Sequence, residues 1–91
     1  MSARRENIEQ VKRLWRDGDV RLSWHAAYEM EAECLDVADV RHVLWYGRIV
    51  EDQVGDDGPR YRYHGEAVSG MSTGVVVELS KELVIVTVFL L

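Results

Sequence analysis

The sequence predicts an α+β fold, in which N-terminal helices pack on one face of a small, mostly antiparallel C-terminal sheet of about four strands. Apolar residues recur at helical spacing through the first half of the chain. In the second half they alternate or run continuously, as they do in strands. The strand segments are joined by short turns, which favour antiparallel neighbours over crossover connections.

Length and composition predict a single domain over residues 1–91, because 91 residues with 47% hydrophobic content suit one small core. No apolar run is long enough to span a bilayer, and the chain starts with the polar segment MSARRENIEQ, which is unlike a signal peptide. The one cysteine, Cys34, excludes an internal disulfide and a multi-cysteine zinc site. We therefore expect a cytoplasmic protein without a membrane partner, with Cys34 as a small core residue.

The charge is unevenly distributed along the chain. Residues 1–24 carry a net +2, residues 25–57 a net −7 and residues 58–91 no net charge, which gives −5 for the whole chain. General nucleic-acid binders are basic, because their affinity comes mainly from neutralised phosphates. Contact with RNA would therefore depend on a local basic cluster, and the acidic middle could instead favour a basic protein partner.

Three helices are predicted. The first covers residues 3–17, where Ile8, Val11, Leu14 and Trp15 recur at helical spacing and Gly18 fits the end. The second follows the short extended segment DVRLSW, with Ser23 as its N-cap. Its expected apolar face consists of Trp24, Ala27, Tyr28, Cys34 and Leu35.

The third helix is predicted over the segment DVADVRHVLWYG. Asp36 caps it, and Asp39 lies three residues on, as in a capping box. Gly47 is expected as the left-handed residue that ends it. The expected buried stripe consists of Val37, Val40, Val43 and Leu44.

Four strand segments follow: RIVEDQV, RYRYHGEAV after the loop GDDGP, and then TGVVVELS and ELVIVTVFLL as a hairpin. The last is apolar on both faces, which predicts a central strand that is covered on both sides for much of its length. An unpaired edge in so small a sheet would invite a homodimer.

The segment RYRYHGE raises the main functional question. As a strand it places Arg60, Arg62 and His64 on one face, and Tyr61 and Tyr63 on the other, since side chains alternate. The arginine face could be an ordinary solvated surface, or it could hold a phosphodiester, because guanidinium groups clamp phosphate oxygens. The tyrosines are expected in the core rather than stacked on bases.

Three further side chains are candidates. His25 and Glu29 share one flank of the second helix at (i, i+4) spacing, so His25 could act as a general acid or base, or it could simply hold the turn by a hydrogen bond. Thr87 interrupts an apolar strand, so its hydroxyl either bonds a neighbouring backbone group or points into a cleft. His42 is assigned no role. No full metal-ligand set or phosphate-binding loop is evident, so we expect no metal and no cofactor.

The order of these motifs resembles the bacterial domain-of-unknown-function family 4258. The matching features are a short strand before a helix that begins His-Ala, an acid-capped "DV" helix, a G-x-I-(I/V)-E strand, and a last strand with V-(I/V)-T-V-(Y/F). The resemblance covers about residues 19–90. Residues 1–18 are then an N-terminal helical extension to a family-like α+β core over 19–90.

The resemblance implies a relation to the RelE-like and barnase-like small ribonucleases, many of which are toxins of toxin–antitoxin pairs. It implies metal-independent attack of a ribose 2′-hydroxyl on the adjacent phosphate. The expected catalytic residues are His25, Arg60 and Thr87, and the expected substrate-binding residues are Arg62, Tyr61, His64 and Glu29. The expected partners are RNA and an antitoxin or other protein. The alternative is a non-catalytic protein-interaction domain that uses its acidic surface or an edge strand.

Overall fold

The computed structural model describes residues 3–91 and has the α+β class that the sequence predicts. Over these residues it contains three helices, mainly N-terminal, and one five-stranded mixed sheet. The elements are α1 (Ala3–Asp17), β1 (Val20–Leu22), α2 (Trp24–Ala32), α3 (Val37–Tyr46), β2 (Arg48–Val54), β3 (Pro59–Glu66), β4 (Ser72–Leu79) and β5 (Leu83–Leu90).

The strands lie in the order β1-β5-β4-β3-β2. The last four pair as antiparallel neighbours, whereas β1 runs parallel to β5, from Val20 beside Leu83 to Leu22 beside Ile85. The sequence predicted about four strands, whereas the sheet has five, because the segment VRL is itself a strand. It is too short for a period-2 pattern to mark it, and its partner lies about sixty residues further along the chain.

The core lies between the helices and one face of the sheet. Its buried residues include Val11 and Leu14 of α1, and Tyr61 and Tyr63 of β3. The expected core positions of both tyrosines are therefore confirmed, at 5% and 2% exposure. Trp15 of α1 packs edge-to-face against Trp45 of α3, so α1 joins the same core. No helix among the described residues is long and apolar enough to cross a membrane.

The buried face of α2 differs from the expected one. Trp24 and Tyr28 are 81% and 69% exposed, and Ala26 and Met30 are buried instead. Each buried residue lies two positions after its exposed counterpart, so the buried face of α2 is rotated by about 200° about the helix axis from the expected face. Cys34 is exposed, not a core residue, because α2 ends at Ala32 and Cys34 lies in the following turn, with φ of 56°.

Two expectations for α3 are corrected. Val37 is half exposed in the first turn, whereas Val40, Val43 and Leu44 are buried as expected. Gly47 is not left-handed, since its φ is −82°. Glycine is needed here because other backbone atoms lie too close for a side chain. A Cβ would lie 2.5 Å from the Val43 carbonyl oxygen and 2.6 Å from that of His64.

The last strand is covered by helices on one face only. Its residues Leu83, Ile85 and Val88 are buried in the core, whereas Val84 and Phe89 are only partly buried on the opposite face. The expectation of cover on both sides was wrong in this respect. Side chains of neighbouring strands, such as Arg62 over the Phe89 ring, shield that opposite face in part.

Candidate active site at the junction of α2 and β5

The start of α2 is fixed to β5 by Ser23. β1 ends at Leu22, and the Ser23 N–H still donates to the Ile85 carbonyl at 3.0 Å. The Ser23 hydroxyl accepts from the Ala26 N–H at 2.9 Å and donates to the Val86 carbonyl at 2.8 Å. The expected N-cap is thus confirmed, and it also ties the helix to the strand. The first turn of α2 is therefore held beside β5.

Glu29 is the centre of the polar cluster at this junction. Its Oε1 atom accepts a hydrogen bond from the Thr87 hydroxyl at 2.5 Å and one from the Val88 N–H at 3.0 Å. The same oxygen lies 3.4 Å from Nε2 of His25. The side chain of Glu29 is 24% exposed and that of His25 is 55% exposed. A carboxylate held by the strand thus faces an imidazole that is exposed to solvent.

A β-bulge explains why the strand presents two donors to one oxygen. The pairing of β4 with β5 shifts where Val76 faces Thr87 and Val77 faces Ile85, so Val86 is an extra residue on β5. Such an insertion bends the strand and redirects its side chains. Here the Thr87 hydroxyl and the following N–H of Val88 both point to α2.

A second cluster surrounds Phe89 on the sheet face that carries no helix. The guanidinium of Arg62 lies 4.8 Å from the centre of the Phe89 ring, and the His64 ring is edge-to-face with it at 6.4 Å. Gly74 makes room for this ring, because a Cβ there would overlap it. The Nε of Arg62 and the Nε2 of His64 are buried without a hydrogen-bond partner among the described residues.

Arg60 is engaged elsewhere on the same face. Its Nε donates to Oε1 of Glu78 at 2.6 Å, and Glu78, only 5% exposed, also accepts from the Asp57 N–H at 3.1 Å. The hydrogen bond from Arg60 holds the pKa of the Glu78 carboxyl below its usual value, against the opposing effect of burial. The structure therefore brings Arg60 to Glu78 and to the loop that joins β2 and β3.

Tyr61 lies on the helix face of the sheet, away from the arginines. Its hydroxyl accepts a hydrogen bond from the Asn7 side chain at 2.5 Å, and the residue is 5% exposed. Burial, with a smaller effect from Tyr61, raises the pKa of the neighbouring Tyr63 to about 12. In this structure Tyr61 supports β3 from within the core and offers no surface to a substrate.

Sequence reasoning did not identify Phe89, the Val88 N–H or the exposed aromatic pair on α2. Trp24 packs edge-to-face with His25 at 6.0 Å, and Tyr28 lies one helical turn from Trp24. Their (i, i+4) spacing was interpreted as a core stripe. The Val88 N–H has no side-chain signal in the sequence, because it depends on the bulge.

A cavity of about 390 Å³ lies beside this cluster, between the second half of α2 and the end of β5. Tyr28, Glu29 and Glu33 line it on the helix side, and Val88 and Phe89 line it on the strand side. Phe89 therefore links the Glu29 cluster with the Arg62 cluster. Among residues 3–91, no group of three or more histidine, cysteine, aspartate or glutamate side chains is arranged to hold a metal ion.

A protein-family profile matches most of the chain. No curated protein and no solved structure matches the chain. The profile of the family described as Domain of unknown function (DUF4258) matches residues 22–90, from the end of β1 through β5. The match covers most of the chain and includes His25, Glu29 and Thr87, whereas α1 lies outside it. The chain therefore belongs to the domain of unknown function family DUF4258.

Proposed function

We propose that the protein is a metal-independent endoribonuclease that cleaves single-stranded RNA by attack of a 2′-hydroxyl on the adjacent phosphate. One observation carries the proposal: Glu29, which Thr87 and Val88 hold beside His25, lines a cavity whose strand wall includes Phe89, with the Arg62 guanidinium over the Phe89 ring. A carboxylate and an imidazole are the two proton-transfer groups that this reaction needs.

In the proposed reaction, Glu29 accepts the proton of the 2′-hydroxyl as its oxygen attacks phosphorus. Protonated His25 donates a proton to the 5′ oxygen as the phosphorus–oxygen bond to that leaving group breaks. The products are a 2′,3′-cyclic phosphate and a 5′-hydroxyl. Glu29 then returns its proton to His25 across their 3.4 Å separation, which restores both groups. Thr87 is a positioning residue, because its hydroxyl acts through Glu29.

Arg62 is the proposed phosphate-binding cation. Neighbouring strands place Arg62 of β3 opposite Val76 of β4, and Val76 opposite Thr87 of β5. The backbones of Arg62 and Thr87 are therefore two strand spacings apart, about 10 Å. A side chain as long as arginine can bridge much of that distance and stabilise the charge that grows on the phosphate oxygens. His64 contacts the same Phe89 ring edge-to-face, so we assign it a supporting role in binding. Arg60, bound to Glu78, positions the neighbouring loop instead.

The exposed aromatic residues favour single-stranded RNA as the substrate. Trp24 and Tyr28 flank His25 and Glu29 on α2 and are largely exposed to solvent. Bases of single-stranded nucleic acid stack on such side chains, which offsets the electrostatic repulsion between RNA and a chain of net charge −5. A relation of the family to RelE-like and barnase-like ribonucleases is part of this proposal, with the protein acting as a toxin restrained by an antitoxin.

A non-catalytic interaction domain is the second candidate. The observation that favours it is the edge strand β2, whose residues Arg48–Val54 are mostly exposed, with Val54 at 96%. An exposed edge can add a strand from another chain, including a second copy of this one. Asp52 pairs with Arg4 at 2.6 Å and Glu51 lies 3.8 Å from Arg62, so the backbone groups of this edge, and not its carboxylates, would provide the affinity.

The test of the catalytic proposal is cleavage of a mixed-sequence single-stranded RNA in the presence of a metal chelator. We expect the wild type to cleave, and His25→Ala to lower the rate about a hundredfold or more, because general acid–base groups contribute that much. His42→Ala is the matched control, since this histidine lies on α3 and contacts the Glu66 carbonyl. A folded wild type that leaves the RNA intact would favour the interaction domain.

A further inference from the structure

The outer edge of β5 is paired over only part of its length. β1 covers it from Leu83 to Ile85, and after Ser23 the chain turns into α2. Beyond Ile85 no strand within residues 3–91 lies on this side of β5. β5 is not the terminal strand of the sheet, but β1 pairs with only its first half. The second half of β5 therefore faces a helix, α2, on this side instead of another strand.

The direction of the backbone groups at this edge follows from two hydrogen bonds. The Leu91 N–H donates to the Ser72 carbonyl on the β4 side, whereas the Val88 N–H donates outward to Glu29. Successive residues of a strand point their backbone groups to opposite sides, so the N–H of Leu90 points outward, as that of Val88 does. An outward N–H and carbonyl at the end of β5 are the groups to which an added strand would bond.

The groove beside this edge has an acidic helix wall. It is the cavity of about 390 Å³, and its α2 side carries Glu29, Ala32 and Glu33, with exposed Tyr28 at one end. Ala32 leaves space for a backbone to approach. The stretch 25–57, which contains all of α2 after Trp24, has a net charge of −7. The carboxylates of Glu29 and Glu33 attract lysine or arginine side chains.

We propose that this groove binds a basic, extended peptide segment of a partner protein, which bonds to the outward backbone groups of Leu90 and places its basic side chains against the carboxylates at the end of α2. Main-chain hydrogen bonds to the β5 edge provide affinity, and the carboxylates of Glu29 and Glu33 select charge. The binding itself does not depend on ribonuclease activity. If both hold, the bound segment covers Glu29 and restrains the proposed active site.

The test uses a capped peptide of eight residues that alternates lysine and valine, titrated into the isotopically labelled full chain and followed by amide NMR. We expect the Leu90 amide to shift and to gain protection from hydrogen exchange, with further shifts at Ala32 and Glu33. Glu33→Lys should weaken binding about fivefold, since it replaces an attraction with a repulsion. Glu31→Lys, an exposed position of α2 that does not line the cavity, is the matched control and should leave the affinity unchanged.

Several outcomes would overturn the proposal. These are equal affinity for a peptide in which glutamate replaces lysine, equal weakening by both lysine variants, and peptide shifts confined to β2. Shifts at Leu90 that appear on concentrating the protein alone would assign the edge to a second copy. Shifts at Leu90, Ala32 and Glu33 with a single-stranded RNA but none with the peptide would assign the groove to nucleic acid alone. Circular dichroism of each variant checks that the fold is intact.

Discussion

Glu29 has two roles at the residue scale, and both come from one oxygen atom. By accepting from Thr87 and Val88 it caps a strand edge that would otherwise expose its donors, and by facing His25 it forms a proton-transfer pair. The (i, i+4) spacing predicted the pairing with His25 from the sequence. The bond to Thr87 was not predictable, because it depends on a bulge that the alternation of β5 does not reveal.

Thr87→Val tests the positioning role. The valine keeps the shape of the threonine but removes the hydroxyl that donates to Glu29. We expect a stability loss of about 1 kcal/mol, and a lower kcat for RNA cleavage with little change in KM. Thr87→Ser, which keeps the hydroxyl, should recover most of the activity. Steady-state cleavage measures the activity and urea unfolding the stability. Equal activity of the valine and serine variants would contradict the positioning role of Thr87.

Glu78 gives a pH-dependent prediction. Its pKa is lowered in the folded protein, chiefly by Arg60, so its contribution to stability is present above the unfolded carboxyl value of 4.5 and is lost as the pH falls below it. Glu78→Gln should therefore lower the free energy of unfolding by about 2 kcal/mol at pH 7 and by less at pH 3. Urea unfolding across this range measures the difference.

Glu82→Gln is the matched control for that experiment. Glu82 pairs with Arg21 at 2.8 Å, but both side chains are about half exposed. Exposed ion pairs contribute little, so this variant should unfold within about 0.5 kcal/mol of the wild type at either pH. A larger effect for Glu82→Gln than for Glu78→Gln would mean that burial does not decide which pair matters here.

At the element scale, α2 shows what helical spacing can and cannot predict. The start of the helix was predictable, because Ser23 is a strong N-cap residue and its hydroxyl accepts from Ala26. The buried face was not, since two (i, i+4) pairs of apolar residues compete: Trp24 with Tyr28, and Ala26 with Met30. The smaller pair is buried, because α2 lies close against β5 and only small or flexible side chains fit there.

Met30→Ala and Tyr28→Ala test this orientation of α2. Met30 is 5% exposed in the core, so its truncation should lower the free energy of unfolding by about 3 kcal/mol. Tyr28 is 69% exposed, so its truncation should change stability by less than about 0.5 kcal/mol. Urea unfolding of both variants is the measurement. The reverse order of effects would place the aromatic residues in the core after all.

On the scale of the whole molecule, the fold class and the antiparallel strands β2 to β5 were predictable, because each hairpin is local in sequence. The position of β1 was not, since three residues cannot specify a parallel partner. Likewise, the two clusters around Glu29 and Phe89 join residues from α2, β3 and β5, and their proximity depends on strand order and register. The sequence identified most of these side chains as candidates, but not Phe89, and it could not predict that they lie close together.

The most direct test of the proposed activity is the chemistry of the cut ends. An RNA strand and a copy with one 2′-deoxy position at the cleaved linkage would be incubated with the wild type in chelator, and the products identified by mass spectrometry. The proposed mechanism predicts a 2′,3′-cyclic phosphate and a 5′-hydroxyl from RNA, and no cut at the 2′-deoxy linkage. Cleavage of the deoxy linkage, or products with a 5′-phosphate, would contradict 2′-hydroxyl attack by the His25–Glu29 site.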